Sequence, residues 1–173
     1  MNHKPLLRFA PFRPLVIAAA AVATLATAGS ALAADAKKQP PYFASITAGQ
    51  ARMRTGPAKN YPASWLYRRA DLPVRVLAVF KEWRKVEDPG GTQGWMLAGL
   101  LSERRTAIVR GAVPLEMRDR PSVGARLLWR AAPGVVGRLS ACADGWCRLD
   151  VKGQAGFVEV GGLWGVDAGE RLP

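Results

Sequence analysis

Two cysteines, Cys142 and Cys147, stand on either side of Ala143-Asp144-Gly145-Trp146, and that spacing sets their chemistry. Asp-Gly favours a two-residue hairpin turn. With that turn as the loop, Ala143 faces Trp146 and Cys142 faces Cys147. The pair next to the loop is hydrogen-bonded, so the cysteine pair is the non-bonded one. Its Cα atoms then lie about 4.5–5.5 Å apart, within disulfide range. The spacing is not Cys-x-x-Cys, which disfavours a redox or metal pair. A structural disulfide, Cys142 to Cys147, is expected.

Acid–base chemistry has little to work with. The one histidine, His3, lies in a segment read below as a signal peptide. The mature chain therefore lacks Ser-His-Asp and Cys-His nucleophilic chemistry and most zinc sites. No Ser-x-x-Lys occurs. A carboxylate pair could still act as acid and base. The densest acidic spot, Glu87-Asp88, adjoins Pro89-Gly90-Gly91 and reads as a turn. The expectation is a non-catalytic protein with no catalytic residues, cofactor or metal site.

The elements around these residues come in two rounds. Met53-Arg54-Thr55-Gly56-Pro57 returns as Met117-Arg118-Asp119-Arg120-Pro121, an offset of 64 (117 − 53). Trp83, before Lys85-Val86, returns as Trp146, before Arg148-Leu149, at 63 (146 − 83). Gln93-Gly94-Trp95 returns as Ala155-Gly156-Phe157, at 62 (155 − 93). On this alignment Phe80 and Arg84 occupy the cysteine positions in the first unit.

Within each unit, short alternating or β-branched runs separated by Gly and Pro turns read as strands. In the first they are Phe43–Ile46, Ala51–Met53, Trp65–Arg68, Val74–Val79, Trp83–Glu87 and Gly94–Met96. Leu97–Leu101 reads as a single helical twist, and Thr106–Val109 closes the unit. The second runs through Val113–Arg118, Arg126–Arg130, Val135–Leu139, Trp146–Val151 and Gly156–Val160, with a tight turn at Lys152-Gly153. Trp83, Trp95 and Trp146 alternate with polar residues and are expected to be core. No helical period of useful length appears. The fold class is all-β: two small β-barrels in tandem, 42–109 and 110–168, with a fraying tail at 169–173. A sixty-residue domain buries only about 60% of its unfolded surface. The near-absent linker at Arg110 therefore predicts barrels that pack on each other.

The N-terminus reads differently. Lys4, Arg8 and Arg13 precede the apolar run Leu15–Gly29, and Ala31-Leu32-Ala33 is a small-x-small cleavage pattern. That layout is a secretory signal peptide, residues 1–33, cleaved after Ala33. The alternative is an uncleaved anchor, but the run is short of the ~20 residues that span a bilayer. Residues 34–41, ADAKKQPP, form a flexible leader. The expected location is periplasmic or extracellular, without stable membrane insertion after cleavage. Removing three of the 25 Lys and Arg leaves 22 against 13 acidic residues, a formal charge of +9. That charge favours anionic partners. Export excludes nucleic acid and leaves envelope polymers and lipid head groups.

These residues resemble a known family. Arg54-Thr55-Gly56-Pro57, the strand Trp83 to Val86, and Gly94-Trp95 followed by Leu100-Leu101 are similar to bacterial Src-homology-3-like (SH3-like) domains. The second copy keeps Arg118 and Pro121 but has Arg120 for the usual glycine and Phe157 for the usual tryptophan. The resemblance covers about Tyr42 to Val166 and implies a small five- to six-stranded barrel, twice. It further implies binding of cell-wall peptides or targeting of wall-cleaving enzymes.

Peptide-binding domains of this shape use an aromatic-lined groove beside a long polar loop. The candidate ligand residues are Arg54, Asn60, Tyr61, Trp65, Tyr67 and Trp95 in the first unit. In the second they are Arg118, Arg120, Trp129 and Trp164. Arginine can hold a carboxylate through two parallel bonds, and aromatic faces can pack on a sugar or peptide stem. Arg54 and Arg118 could instead only pin their own loops. The expected function is a monomeric exported module binding peptidoglycan or another anionic envelope component. The alternative is an adaptor that docks another envelope protein. The ligand is expected on the first barrel, with the second as a disulfide-stapled support.

Overall fold

The first sheet of the computed structural model, which describes residues 38–173, grows from short strands with an apolar inner face. They are β1 (Tyr42–Ile46), β2 (Ala51–Arg54), β3 (Ala63–Tyr67), β4 (Pro73–Phe80), β5 (Trp83–Glu87), β6 (Gln93–Leu97) and β7 (Leu101–Ser102). A single 3-10 turn, Ala98–Leu100, joins the last two. In β2, buried Ala51 and Met53 alternate with outward arginines, as the two-residue period of a strand requires. The expected signal peptide, residues 1–33, and leader residues 34–37 lie outside the described residues.

The second sheet repeats the first: β8 (Thr106–Val109), β9 (Leu115–Arg118), β10 (Leu127–Ala131), β11 (Val136–Ala143), β12 (Trp146–Val151), β13 (Gln154–Glu159) and β14 (Leu163–Trp164). The strand orders are β3-β2-β6-β5-β4-β1-β7 and β10-β9-β13-β12-β11-β8-β14, the same path taken twice. The long strands β4 and β11 carry a register shift at matching places, Val76/Ala78 and Leu139/Ala141. Such a bulge bends a strand, which lets one sheet curl around its own core. Met53, Val76, Val86 and Met96 fill the first core, and Met117, Leu139, Leu149 and Val158 the second.

Two close approaches explain the Gly-aromatic strand of each unit. A β-carbon on Gly94 would lie 2.4 Å from the Met53 side chain, and one on Gly156 would lie 2.9 Å from that of Met117. Each methionine occupies the space a side chain would need.

The structure corrects four expectations. Thr106–Val109 does not close the first unit: it pairs with β11 and β14 as the first strand of the second. Its apolar pattern identifies a strand but not its partner. The tail does not fray, because the amide and carbonyl of Leu172 bond to those of Cys142. The first-unit counterpart of Cys142 is Val79, not Phe80, since Val79 faces Arg84 as Cys142 faces Cys147. Of the three tryptophans expected in the core, Trp83 is buried, while Trp95 and Trp146 are half-buried on the flanks.

The disulfide is present as expected, Cys142 to Cys147, with Cα atoms 4.1 Å apart. Asp144 and Gly145 have φ of 51° and 82°, the left-handed pair that a two-residue hairpin turn needs. Both backbone groups of Cys142 go to Leu172, so the cysteine pair is the non-hydrogen-bonded one.

Candidate functional site

The loop between β2 and β3 is held from inside. Thr55 N donates to Pro62 O at 3.1 Å, and Tyr61 N to Ala58 O at 3.3 Å. Arg54 Nη1 donates to the carbonyl of Tyr61 at 2.7 Å. The Tyr61 ring lies directly over Gly56. This anchoring presents Tyr61 and, just beyond on β3, Trp65, which are 44% and 55% exposed. Asn60 is exposed at the loop. Trp95 is half-buried on β6, opposite Arg54 and Lys85 in register. Leu66, next to Trp65 in sequence but on the opposite face of β3, is also exposed. An outward leucine leaves no pattern there, because every residue of the edge strand except Tyr67 is exposed.

The same loop recurs 64 residues on. Asp119 N donates to Arg126 O at 3.0 Å, and Ala125 N to Ser122 O at 3.1 Å. Arg118 Nη1 donates to Ala125 O at 2.6 Å. Both arginines are thus loop pins. Arg118 also pairs through Nη2 with Glu116, so both terminal nitrogens are engaged and little is left for a ligand. Trp129, the counterpart of Trp65, is 43% exposed, and Arg120 is exposed with only a 3.7 Å approach to Asp119. Nothing in this loop replaces the Tyr61 ring.

Tyr67 does not join the exposed group. It is buried, with its hydroxyl donating to Asp88 Oδ2 at 2.7 Å. Burial first, then the hydrogen bond and charge of Asp88, push its pKa above the ordinary tyrosine value. Its ring stands 6.4 Å from that of Trp65, as a back wall for the exposed indole. Asp88 Oδ1 accepts the amides of Gly90 at 2.9 Å and Thr92 at 2.8 Å. Asp88 therefore organises a turn, and Glu87 accepts a bond from Gln93 at 2.7 Å.

Trp164 is spent on the contact between barrels, which do pack together. Its ring meets Phe43 of β1 edge-on at 5.2 Å. The guanidinium groups of Arg75 and Arg105 lie 5.5 and 5.6 Å from the centre of the Phe43 ring. Arg75 reaches Asp167 at 3.4 Å, and Arg105 pairs with Glu170 through both terminal nitrogens. Burial alone would raise the Glu170 pKa. The Arg105 hydrogen bond, the Asp167 amide and the charges of Arg105 and Lys38 outweigh it and lower the value. Arg69 Nη2 also crosses to Gly134 O at 3.0 Å. Beside this contact an open cleft of about 500 Å³ carries Arg69, Arg138 and Lys152 on its rim.

The candidate surface is therefore Asn60, Tyr61 and Trp65 on the first barrel, with Trp129 and Arg120 as a poorer echo on the second; Leu66, opposite Arg52, and Trp95, opposite Arg54, lie on the other face of the sheet. The model of the bacterial SH3 domain family matches residues 47–103 and again 111–165. Among solved structures the chain is similar to NlpC2 from Trichomonas vaginalis, at 16% identity and a TM-score of 0.33 over 76% of this chain and 52% of that one. It is also similar to NlpC1 from the same organism, at 15% identity and a TM-score of 0.31 over 73% of this chain and 46% of that one. The chain thus spans about half of each of those chains. No curated protein matches it.

Proposed function

The chain belongs to the bacterial SH3 domain family, carrying the domain twice, and on that premise we propose that it is an exported, non-catalytic module that binds peptidoglycan or another anionic envelope component. The observation that carries this reading is Trp65. More than half of its surface is exposed, on a strand whose adjoining loop is pinned by Arg54. A large rigid aromatic held in water against the Tyr67 ring, on the strand that follows the Tyr61 loop, is the anchor type that binding sites use. The basic excess of the mature chain supports an anionic partner.

Export is supported by the disulfide, which persists in oxidising compartments. Among the described residues, no helix is long and apolar enough to cross a membrane. A non-catalytic role is supported by Asp88, whose two carboxylate oxygens are both engaged, one by the turn amides of Gly90 and Thr92 and the other by the Tyr67 hydroxyl. The test is retention of the protein on purified cell-wall sacculi, with the Trp65→Ala variant alongside. Folded protein that passes through unretained at moderate salt would end this reading.

A further inference from the structure

The two barrels treat one strand edge differently. In the second, Cys142 N donates to Leu172 O at 3.2 Å and Leu172 N donates back to Cys142 O at 3.0 Å. The last residues of the chain thus lie antiparallel along β11. Leu172 packs on the second core, and Arg171 reaches Asp144 of the hairpin turn at 3.0 Å.

In the first barrel the matching position is Val79 of β4, which faces Arg84 next to the two-residue loop Lys81-Glu82. A pair in that place is non-hydrogen-bonded, so the N–H and C=O of Val79 point outward as those of Cys142 do. Among the described residues no backbone group from outside the sheet meets them. Val79 and Phe80 are 46% and 48% exposed, where Cys142 is buried. At the turn position of Asp144, the first barrel has Lys81, whose ammonium lies 5.6 Å from the Phe80 ring centre. An exposed apolar edge with unmet backbone groups is a template for strand addition.

We propose that the Val79 edge of β4 is a docking site for an extended peptide segment of a partner protein. The segment adds antiparallel, as Arg171-Leu172-Pro173 does on β11, and presents an acidic residue followed by an apolar one. Backbone bonds to Val79 hold it, and the apolar side chain covers Val79 and Phe80. The charge follows from the second barrel, where Asp144 meets Arg171; Lys81 reverses the sign. The site is on a different strand from Trp65, so the two proposals fail independently.

The test is a nuclear magnetic resonance titration of the exported protein with two peptides. One has the sequence of residues 167–173 and the other the same sequence carrying Arg171→Glu. The glutamate peptide is expected to shift the Val79 and Lys81 amides, slow exchange at Val79, and bind about fivefold tighter than the arginine peptide. Lys81→Asp should invert that preference. It should fold, because Lys81 has φ of 50° and Asp144 already adopts 51° at the matching place. The proposal is overturned if neither peptide moves Val79, or if the arginine peptide binds the unmodified chain better. Protection of the Val79 amide before any peptide is added also overturns it, since a segment of the chain itself would then cover the edge.

Discussion

The ring of Tyr61 lies so close over Gly56 that a β-carbon on residue 56 would sit 2.5 Å from its Cδ1 and Cε1. At the same two places in the second loop stand Arg120 and Ala125, and Ala125 is buried. The two differences are one event in physical terms. Without the ring, residue 120 is free to carry a side chain; with the ring, residue 56 is not. The loop backbone is kept in both by Arg54 and Arg118. The glycine of the motif therefore serves the tyrosine, and the tyrosine is what only the first barrel displays.

This coupling is measurable. Gly56→Ala should cost about 1–3 kcal/mol by forcing the ring off its seat. In a Tyr61→Ala background the same change should cost less than about 0.5 kcal/mol. Denaturant unfolding of the four proteins in a double-mutant cycle reads the difference. Equal costs in both backgrounds would show that the ring does not define the site.

Tyr67 and Asp88 give a pH signature. The folded pKa of Tyr67 is raised above its unfolded value of about 10. Its contribution is therefore complete below about pH 10 and is lost as pH rises towards the folded value. Unfolding free energy should fall with pH in that alkaline range, and Tyr67→Phe should remove that part of the slope. At neutral pH the variant should lose about 1–3 kcal/mol, because one carboxylate oxygen of Asp88 loses its buried partner. An unchanged alkaline slope would contradict the assignment.

The contact between barrels should respond to packing, and the Arg105–Glu170 pair beside it to acid. Phe43→Ala removes a buried ring that Trp164, Arg75 and Arg105 surround, and should cost about 3–5 kcal/mol. Glu170 has a lowered pKa, so its pairing with Arg105 is complete above the ordinary carboxylate value and is lost as pH falls through the folded one. Glu170→Gln should flatten stability in that acid range while leaving the alkaline range unchanged. Acid titrations that superimpose would show that the pair adds no net stability.

The disulfide closes a short loop, with a sequence separation of 5, so its reduction should cost only about 2 kcal/mol. Reduction should also loosen the tail, since Leu172 bonds to Cys142. Thermal unfolding with and without reductant, and hydrogen exchange at Leu172, check both parts. Free thiols in the exported protein, found by mass spectrometry, would remove the staple.

The repeat was readable because the strands that carry it keep register. The offset of 64 holds from Met53 to Trp65 and their partners Met117 and Trp129, through a loop of equal length. One residue is lost between β3 and β4, and another at the loop after Glu87. The Asp-Gly turn fixed the cysteine pairing for the same local reason. What stayed hidden was non-local. Thr106–Val109 looks like a strand of either barrel until its hydrogen bonds are known. Trp164 and Phe43 look like binding or core aromatics until the barrels meet. The exposure of Trp65 and Trp129 is an edge-strand property, which residue type does not encode.

The most direct measurement is retention on purified cell-wall sacculi at near-physiological salt, comparing the unmodified protein with Trp65→Ala and Trp129→Ala. The unmodified protein should be retained, Trp65→Ala should weaken retention by about tenfold or more, and Trp129→Ala should have a smaller effect. Retention of the folded Trp65→Ala variant equal to that of the unmodified protein would contradict the role of Trp65 as the anchor.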